Sequence, residues 1–237
     1  MQAYERRIWS NFDVLIAVSE NDKKYMNESA SADNIFVIPN GIDVDHFQNQ
    51  AAAKVPLSLI YTGQMGWYPN EDAVIYFVNK ILPSIKKRVP DVQFLIVGGN
   101  ATKRVRQLGK GNNGIQITGH VNDILPYIDK AAVFVVPLRI GSGTRIKILE
   151  AFALGKPVIS TSIGCEGLEV RDGENILIAD EPNEFAKKTT TLLNDELFRK
   201  RLGDAGRKLV KEKYDWEVIS EKIGELRNSL EKMVREN

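Results

Sequence analysis

The chain has 237 residues, 43 % of them hydrophobic and 27 % charged, a composition that excludes the disordered, fibrous and membrane-spanning classes. It carries 32 Lys+Arg against 31 Asp+Glu, a formal net charge of +1, so no nucleic-acid or other polyanion partner is expected. The single cysteine, Cys165, excludes a disulfide framework and a thiolate metal cluster, and a reducing, cytoplasmic compartment is the expectation.

In chain order, the opening residues 1–11 are charged and lack an apolar core segment, so they do not read as a secretory leader. No apolar run anywhere reaches the ~20 residues that a bilayer crossing needs. A helix tail is followed by β-branched runs at 14–18 and 35–38 with a helical stretch between them. Pro39-Asn40-Gly41-Ile42-Asp43 then makes a turn, and the polar, alanine-rich residues beyond it read as a linker over 45–55. Further strands are expected at 57–62, 92–97, 115–118, 132–136, 158–160 and 176–178. Helices are expected at 72–87, 103–108, 124–130, 145–154, 183–193, 196–213 and 217–234. Phe94-Leu95-Ile96-Val97 and Val133-Phe134-Val135-Val136 are apolar at every position, as suits strands covered on both faces of a parallel sheet. Pro90, Pro157 and the Gly98-Gly99 pair fall between elements. The fold class is therefore α/β, a doubly wound, Rossmann-like sheet over 56–214 with a C-terminal helix over 215–237. Residues 1–44 read as the remnant of a second domain, too small to enclose a core of its own.

The stretch richest in chemistry leaves the strand at 132–136 and enters a helix through Gly141-Ser142-Gly143-Thr144. Free backbone N–H groups and the positive end of the helix dipole favour an anion at such a place. Gly141 and Gly143 let the backbone approach a ligand closely, and Ser142 or Thr144 can cap the helix. Arg145 and Lys147 are cations in the first turn, where the dipole disfavours them, and an anionic ligand would explain the placement. Glu150 follows Ile146 by one turn and Gly143 by two, so its carboxylate can reach along the loop and accept hydrogen bonds from sugar hydroxyls. The same residues also describe an ordinary strand-to-helix turn with a charged surface, and both readings stand at this point. No dinucleotide fingerprint is met, because Ile146 holds the third glycine position, and no Walker phosphate loop occurs.

Glu150-Ala151-Phe152-Ala153-Leu154-Gly155-Lys156-Pro157-Val158-Ile159-Ser160-Thr161, continuing to Gly164-Cys165-Glu166-Gly167, resembles the donor-binding half of the retaining glycosyltransferases of GT-B architecture, family 4. The turn at Pro39 to Asp43 with Phe47 is similar to that family's interdomain segment. Gly63-Gln64-Met65-Gly66-Trp67-Tyr68-Pro69-Asn70 with Asp72-Ala73-Val74 is similar to the opening βα unit of the donor domain in a bacterial and archaeal polysaccharide subgroup. The resemblance implies transfer of a sugar, with retention, from a nucleotide-diphosphate sugar to a glycan or lipid-linked acceptor held by the other domain, with no metal or cofactor. It places Gly63, Gln64, Gly141, Ser142, Gly143, Thr144, Arg145, Lys147 and Glu150 at the donor. Glu150 matches the second glutamate of the family's Glu-x7-Glu motif, which holds the ribose, whereas Ser142 stands where the first glutamate is usual. Gln64 and Pro69 likewise stand where many members have the Arg and Lys that neutralise the diphosphate. Arg145 and Lys147 are expected to substitute for those missing cations.

Other residues read as structural. Asp43-Val44-Asp45 spells a metal-binding signature, but it lies in a turn, and the adjacent His46 has no partner cluster. His120 follows a strand near where the resemblance places the nucleotide base. Cys165 sits in a turn with no base nearby in sequence, so it is not expected as a nucleophile. Trp67 and Tyr68, at the head of a first helix, could stack on a sugar or base, but packing on the core is the expectation. No histidine precedes residue 45, so the acceptor-side catalytic histidine common in the family has no match. Two functions are carried forward. One is the donor-binding part of a glycosyltransferase, inactive without an acceptor domain, and the other is a non-catalytic module of the same shape serving polysaccharide assembly as an interaction partner. Open sheet edges in the leading piece call for a separate acceptor-binding subunit or self-association, and peripheral membrane association is compatible with the lack of a spanning run.

Overall fold

The computed structural model describes residues 2–9, 11–27, 34–47, 54–111, 114–141 and 143–236. The chain opens with α1 (Gln2–Trp9), β1 (Leu15–Ala17), α2 (Glu20–Asn27) and β2 (Ile35–Val37). β1 and β2 pair in parallel, Leu15 opposite Ile35, and a small buried cluster of Leu15, Ala17 and Ile35 holds them together. Ser19 starts α2 by accepting the Asp22 N–H at 3.1 Å while its hydroxyl donates to the Asp22 carboxylate at 2.6 Å.

This piece is tied to the far end of the chain. The Ile42 N–H donates to the Tyr214 carbonyl at 2.7 Å, and the Trp216 N–H donates to the Ile42 carbonyl at 3.1 Å. The Trp216 ring lies over Gly41, where a Cβ would stand 2.7 Å from the indole, so a side chain at 41 would displace it. The turn at Pro39 to Asp43 is thus clamped against the last helix. Within the expected linker, residues 48–53 lie outside the described residues, while Phe47 packs on the main core.

The main body is one parallel sheet of β3 (Val55–Thr62), β4 (Gln93–Val97), β5 (Ile115–Ile117), β6 (Ala131–Val136), β7 (Val158–Ser160) and β8 (Leu177–Ile178), in the order β5-β4-β3-β6-β7-β8. Around it run α3 (Tyr68–Tyr76), α4 (Leu82–Lys86), α5 (Lys103–Leu108), α6 (Leu125–Lys130), α7 (Ile146–Ala153), α8 (Pro182–Asn194), α9 (Glu196–Lys213) and α10 (Trp216–Glu236). Leu59, Ile60 and Tyr61 on β3 and Val133 to Val136 on β6 are fully buried, because helices cover both faces of the sheet. The doubly wound architecture expected from the alternation of strands and helices is the one observed. Strands are laid outward from β3 to β5, then the chain returns to place β6 beside β3 and builds the other way. That reversal opens a crevice at the carboxyl ends of β3 and β6, where open α/β sheets hold ligands.

The helix expected over 72–87 is instead α3, a π turn at Phe77–Ile81 and α4. Pro69 lies in the first turn of α3, a position that requires no N–H, and the helix starts at Tyr68. Pro83 cannot donate to the carbonyl one turn behind it. The helix widens ahead of that gap, and the Leu82 N–H reaches back to the Phe77 carbonyl. The widened turn keeps Phe77 in the core, with its ring centroid 4.6 Å from Phe94 and 6.0 Å from Phe185.

Candidate functional site

Three loops meet beyond the carboxyl ends of β3, β4 and β5, laced by their own backbones. The Gly63 N–H donates to Val97 O at 3.0 Å, the Met65 N–H to Gly99 O at 2.9 Å and the Gly98 N–H to Gly119 O at 3.2 Å. Gly98 has φ +140°, and a Cβ there would stand 1.9 Å from the Gly63 carbonyl oxygen, so only glycine fits. These loops and the start of α7 enclose a cleft of about 420 Å³, lined by Gly63, Gln64, Asn100, His120, Lys147 and Glu150 among others.

Lys147 is the centre of this arrangement. Its ammonium donates to Thr62 O at 2.7 Å, to the Tyr61 hydroxyl at 3.1 Å and to Asn70 Oδ1 at 3.1 Å, and lies 4.3 Å from the centroid of the Tyr61 ring. The Tyr61 hydroxyl in turn donates to Asn70 Oδ1 at 2.6 Å, so the buried phenol is satisfied. Burial, helped by the nearby Arg145 charge, pulls the Lys147 pKa down to about 7, and Glu150 opposes that shift. Glu150 itself is pushed above the usual carboxylate range by burial, which Lys147 partly offsets. Burial also raises the Tyr61 phenol well above its ordinary range.

The structure brings together Gly63, Gln64, Lys147 and Glu150 in this one cleft. The loop residues behave differently. Gly141 (φ +116°) and Gly143 (φ +84°) both take backbone that favours glycine, and Ser142 between them lies outside the described residues. Thr144 does not cap α7: Arg145 occupies the cap position with no side-chain cap bond, and Thr144 Oγ1 is buried without a hydrogen-bond partner among the described residues. The Arg145 guanidinium folds back onto Gly141, where a Cβ would meet it at 2.9 Å. Lys147 turns away from the glycine loop toward the end of β3, where it takes up space beside Gly63.

Tyr61, Asn70 and Asn100 belong to the site and were not singled out from the sequence. Asn70 bridges the two sides, accepting from Lys147 while its Nδ2 donates to Gln64 O at 3.0 Å. A tyrosine within an aliphatic buried strand was the available signal for Tyr61, because its hydroxyl needs a partner. Trp67 and Tyr68, expected in the core, are instead 66 % and 62 % exposed at the head of α3. Trp67 holds the cap position and Tyr68 opens the helix with Pro69 behind it, so both rings stand at its open end. Asp43 Oδ1 accepts the His46 N–H at 3.0 Å and Val44 is buried, so the Asp-x-Asp stretch closes a turn. Cys165 is buried, and burial pushes its thiol pKa up to about 11.

Residues 56–195 match the family model described as glycosyl transferases group 1, and the chain belongs to that family. It is 28 % identical over 230 residues to a phosphatidyl-myo-inositol mannosyltransferase of Mycobacterium tuberculosis, covering 88 % of this chain and 57 % of the relative. An uncharacterised glycosyltransferase of Methanocaldococcus jannaschii is 29 % identical over 215 residues, with the same coverage of 88 % and 57 %. The chain therefore spans a little over half the length of these curated relatives. Among solved structures, TarM superposes with a TM-score of 0.80 at 18 % identity, covering 95 % of this chain and 45 % of TarM. Anabaena HepE in complex with UDP and glucose superposes with a TM-score of 0.74 at 17 % identity, covering 92 % of this chain and 63 % of HepE. Those likenesses show a shared fold. No helix among the described residues is long and apolar enough to cross a membrane.

Proposed function

We propose that this chain is the donor-binding part of a cytoplasmic glycosyltransferase, holding a nucleotide-diphosphate sugar in the cleft at the ends of β3 and β6. The observation that carries the reading is Lys147, a half-buried ammonium placed against the β3 loop with Glu150 on the same helix and in the same cleft. Gln64 and Pro69 leave that loop without a cation, and Lys147 reaches the same loop from α7. It supplies positive charge where a diphosphate leaving group gains negative charge, the moment at which charge stabilisation lowers a barrier most. Glu150 accepts hydrogen bonds from the ribose hydroxyls, and the glycine loops let the backbone approach. No metal and no cofactor enters this scheme.

The acceptor, a glycan or lipid-linked sugar, is held by polypeptide beyond the described main body, from a separate acceptor-binding subunit or a further domain. β1 and β2 pair only with each other among the described residues, leaving open edges, and Ile16 is 55 % exposed on their outer face. Self-association on that face is the alternative way of covering it, and sedimentation of the purified chain distinguishes the two, since a strictly monomeric chain excludes self-association. The purified chain alone is expected to bind donor and transfer nothing. Calorimetry with UDP and GDP tests the donor site: binding that is lost in the double substitution Arg145→Ala and Lys147→Ala supports it, and unchanged affinity overturns it. The neutral residues at 64 and 69 favour a second reading, a non-catalytic module of polysaccharide assembly, and indifference of the melting temperature to every nucleotide sugar would select it.

A further inference from the structure

The donor cleft contains a hydrogen-bond donor whose direction is set by a residue outside any motif. Lys147 offers charge, but its three N–H groups already meet Thr62 O, the Tyr61 hydroxyl and Asn70 Oδ1. The backbone N–H groups of Gly63, Met65 and Gly98 are engaged by the neighbouring loops. Gln64 is different. Its Oε1 accepts from Asn100 Nδ2 at 3.1 Å, while its Nε2 meets no acceptor among the described residues, and both residues line the cleft. A carboxamide is planar, so fixing its oxygen fixes the opposite direction of its two N–H bonds. Asn100 stands at φ +58°, the one non-glycine with positive φ among the described residues, on the loop that follows β4. Asparagine tolerates that backbone, and so does glycine, so the backbone alone does not require the amide.

We infer that Asn100 is a positioning residue: it holds the Gln64 carboxamide so that Nε2 donates to the diphosphate of a bound nucleoside diphosphate, beside the charge of Lys147. This rests on the donor-site reading above and deepens it. The neutral amide supplies the directed contact, and the lysine behind it supplies the field. The Gln64–Asn100 bond is solvent-exposed, so its loss leaves the fold intact and the variants can be compared as folded proteins.

The test is calorimetry of the purified chain with UDP, GDP and the corresponding monophosphates. Asn100→Gly keeps the backbone and frees the amide, and it is expected to weaken diphosphate binding by about threefold to fivefold. Asn100→Asp can only accept from Gln64 Nε2; it turns the amide round to face the ligand with oxygen, and a loss of about tenfold or more is expected. Monophosphate affinity should move by less than about twofold in both variants, since the contact lies on the second phosphate. In a Gln64→Ala background, Asn100→Gly should have no further effect, because there is no amide left to orient. The inference is overturned if either Asn100 variant binds diphosphates as the wild type does, if monophosphates lose the same factor, or if the Asn100→Gly effect persists without Gln64. Each of those results leaves the donor site standing, whereas a wild-type chain that binds neither UDP nor GDP overturns both.

Discussion

Two lysines sit at opposite ends of the same sheet, and the company each keeps is different. Lys156, where β6 begins, is almost wholly buried; its ammonium donates to the Asp129 and Ala131 carbonyls and stands 3.4 Å from the fully buried Asp129 carboxylate, which Lys54 also pairs. Lys147, beyond the end of β3, has three neutral oxygens and no carboxylate within ion-pair distance among the described residues. Burial is the largest cause of a lowered pKa in both, to about 8 for Lys156 and about 7 for Lys147. One cation is completed inside the fold. The other is held by three neutral oxygens beside an open cleft, where, on the donor-site proposal, an incoming anion would supply the counter-charge that those oxygens do not. Burial of a lysine is therefore no sign of a ligand by itself; the lack of an ion pair at Lys147 among the described residues, together with the adjoining cleft, is what supports the donor-site proposal.

The largest expected effect falls on the internal pair. Asp129→Ala leaves Lys156 buried without its counter-charge and should cost about 3–5 kcal/mol of stability, read as a large fall in Tm. Retention of the wild-type Tm would remove the contrast between the two lysines. Gly98→Ala should come next: its Cβ collides with the Gly63 carbonyl, so a loss of about 1–3 kcal/mol and weakened UDP or GDP binding are expected together. Lys147→Met should contrast with the Asp129 change. Its Tm is expected to change little, since relief of a poorly hydrated ammonium is set against the loss of its three hydrogen bonds, while diphosphate affinity falls by about thirtyfold or more.

The smallest effect is in pH. Unfolded, a lysine keeps its proton to about 10.4, whereas folded Lys147 loses it near 7. Between those values the unfolded state binds more protons, so Lys147 makes stability rise with pH across that window, and below about 7 its contribution is at its least favourable. Lys156 acts in the same direction from about 8 upward. Lys147→Met should remove the rise between about 7 and 8 and reduce the slope above about 8 to the share of Lys156, which urea titrations at several pH values would resolve.

Much of this could be read along the chain, for physical reasons that differ by element. The strands were legible because burial on both faces makes them apolar at every position, as at Phe94 to Val97 and Val133 to Val136. The doubly wound class followed from the alternation of strands and helices, but the strand order, and with it the crevice between β3 and β6, came only with the structure. The break in the first helix of the main body was missed because Pro83 lies inside an otherwise helical run, and a π turn leaves no periodic trace. Lys147 was legible as a candidate but not in its direction. Ile146 is 47 % exposed while Lys147 turns toward the sheet, the reverse of the usual apolar-in pattern, and that direction emerges only once the helix is placed against the sheet. Asn70 and Asn100 could not be found along the chain, since each acts through a neighbour brought to it only by the loops meeting in space.

The claim that Lys147 is completed by the donor's diphosphate is tested most directly by counting protons. Calorimetry of UDP or GDP binding at pH 8, repeated in buffers of different ionisation enthalpy, reports protons taken up on binding. With a free-state pKa of about 7, Lys147 is ~10 % protonated at that pH. A diphosphate that raises its pKa well above 8 should therefore draw in close to one proton per site, ~0.9 at most, and Lys147→Met should draw in none. Binding without proton uptake, or uptake unchanged in Lys147→Met, would contradict the account.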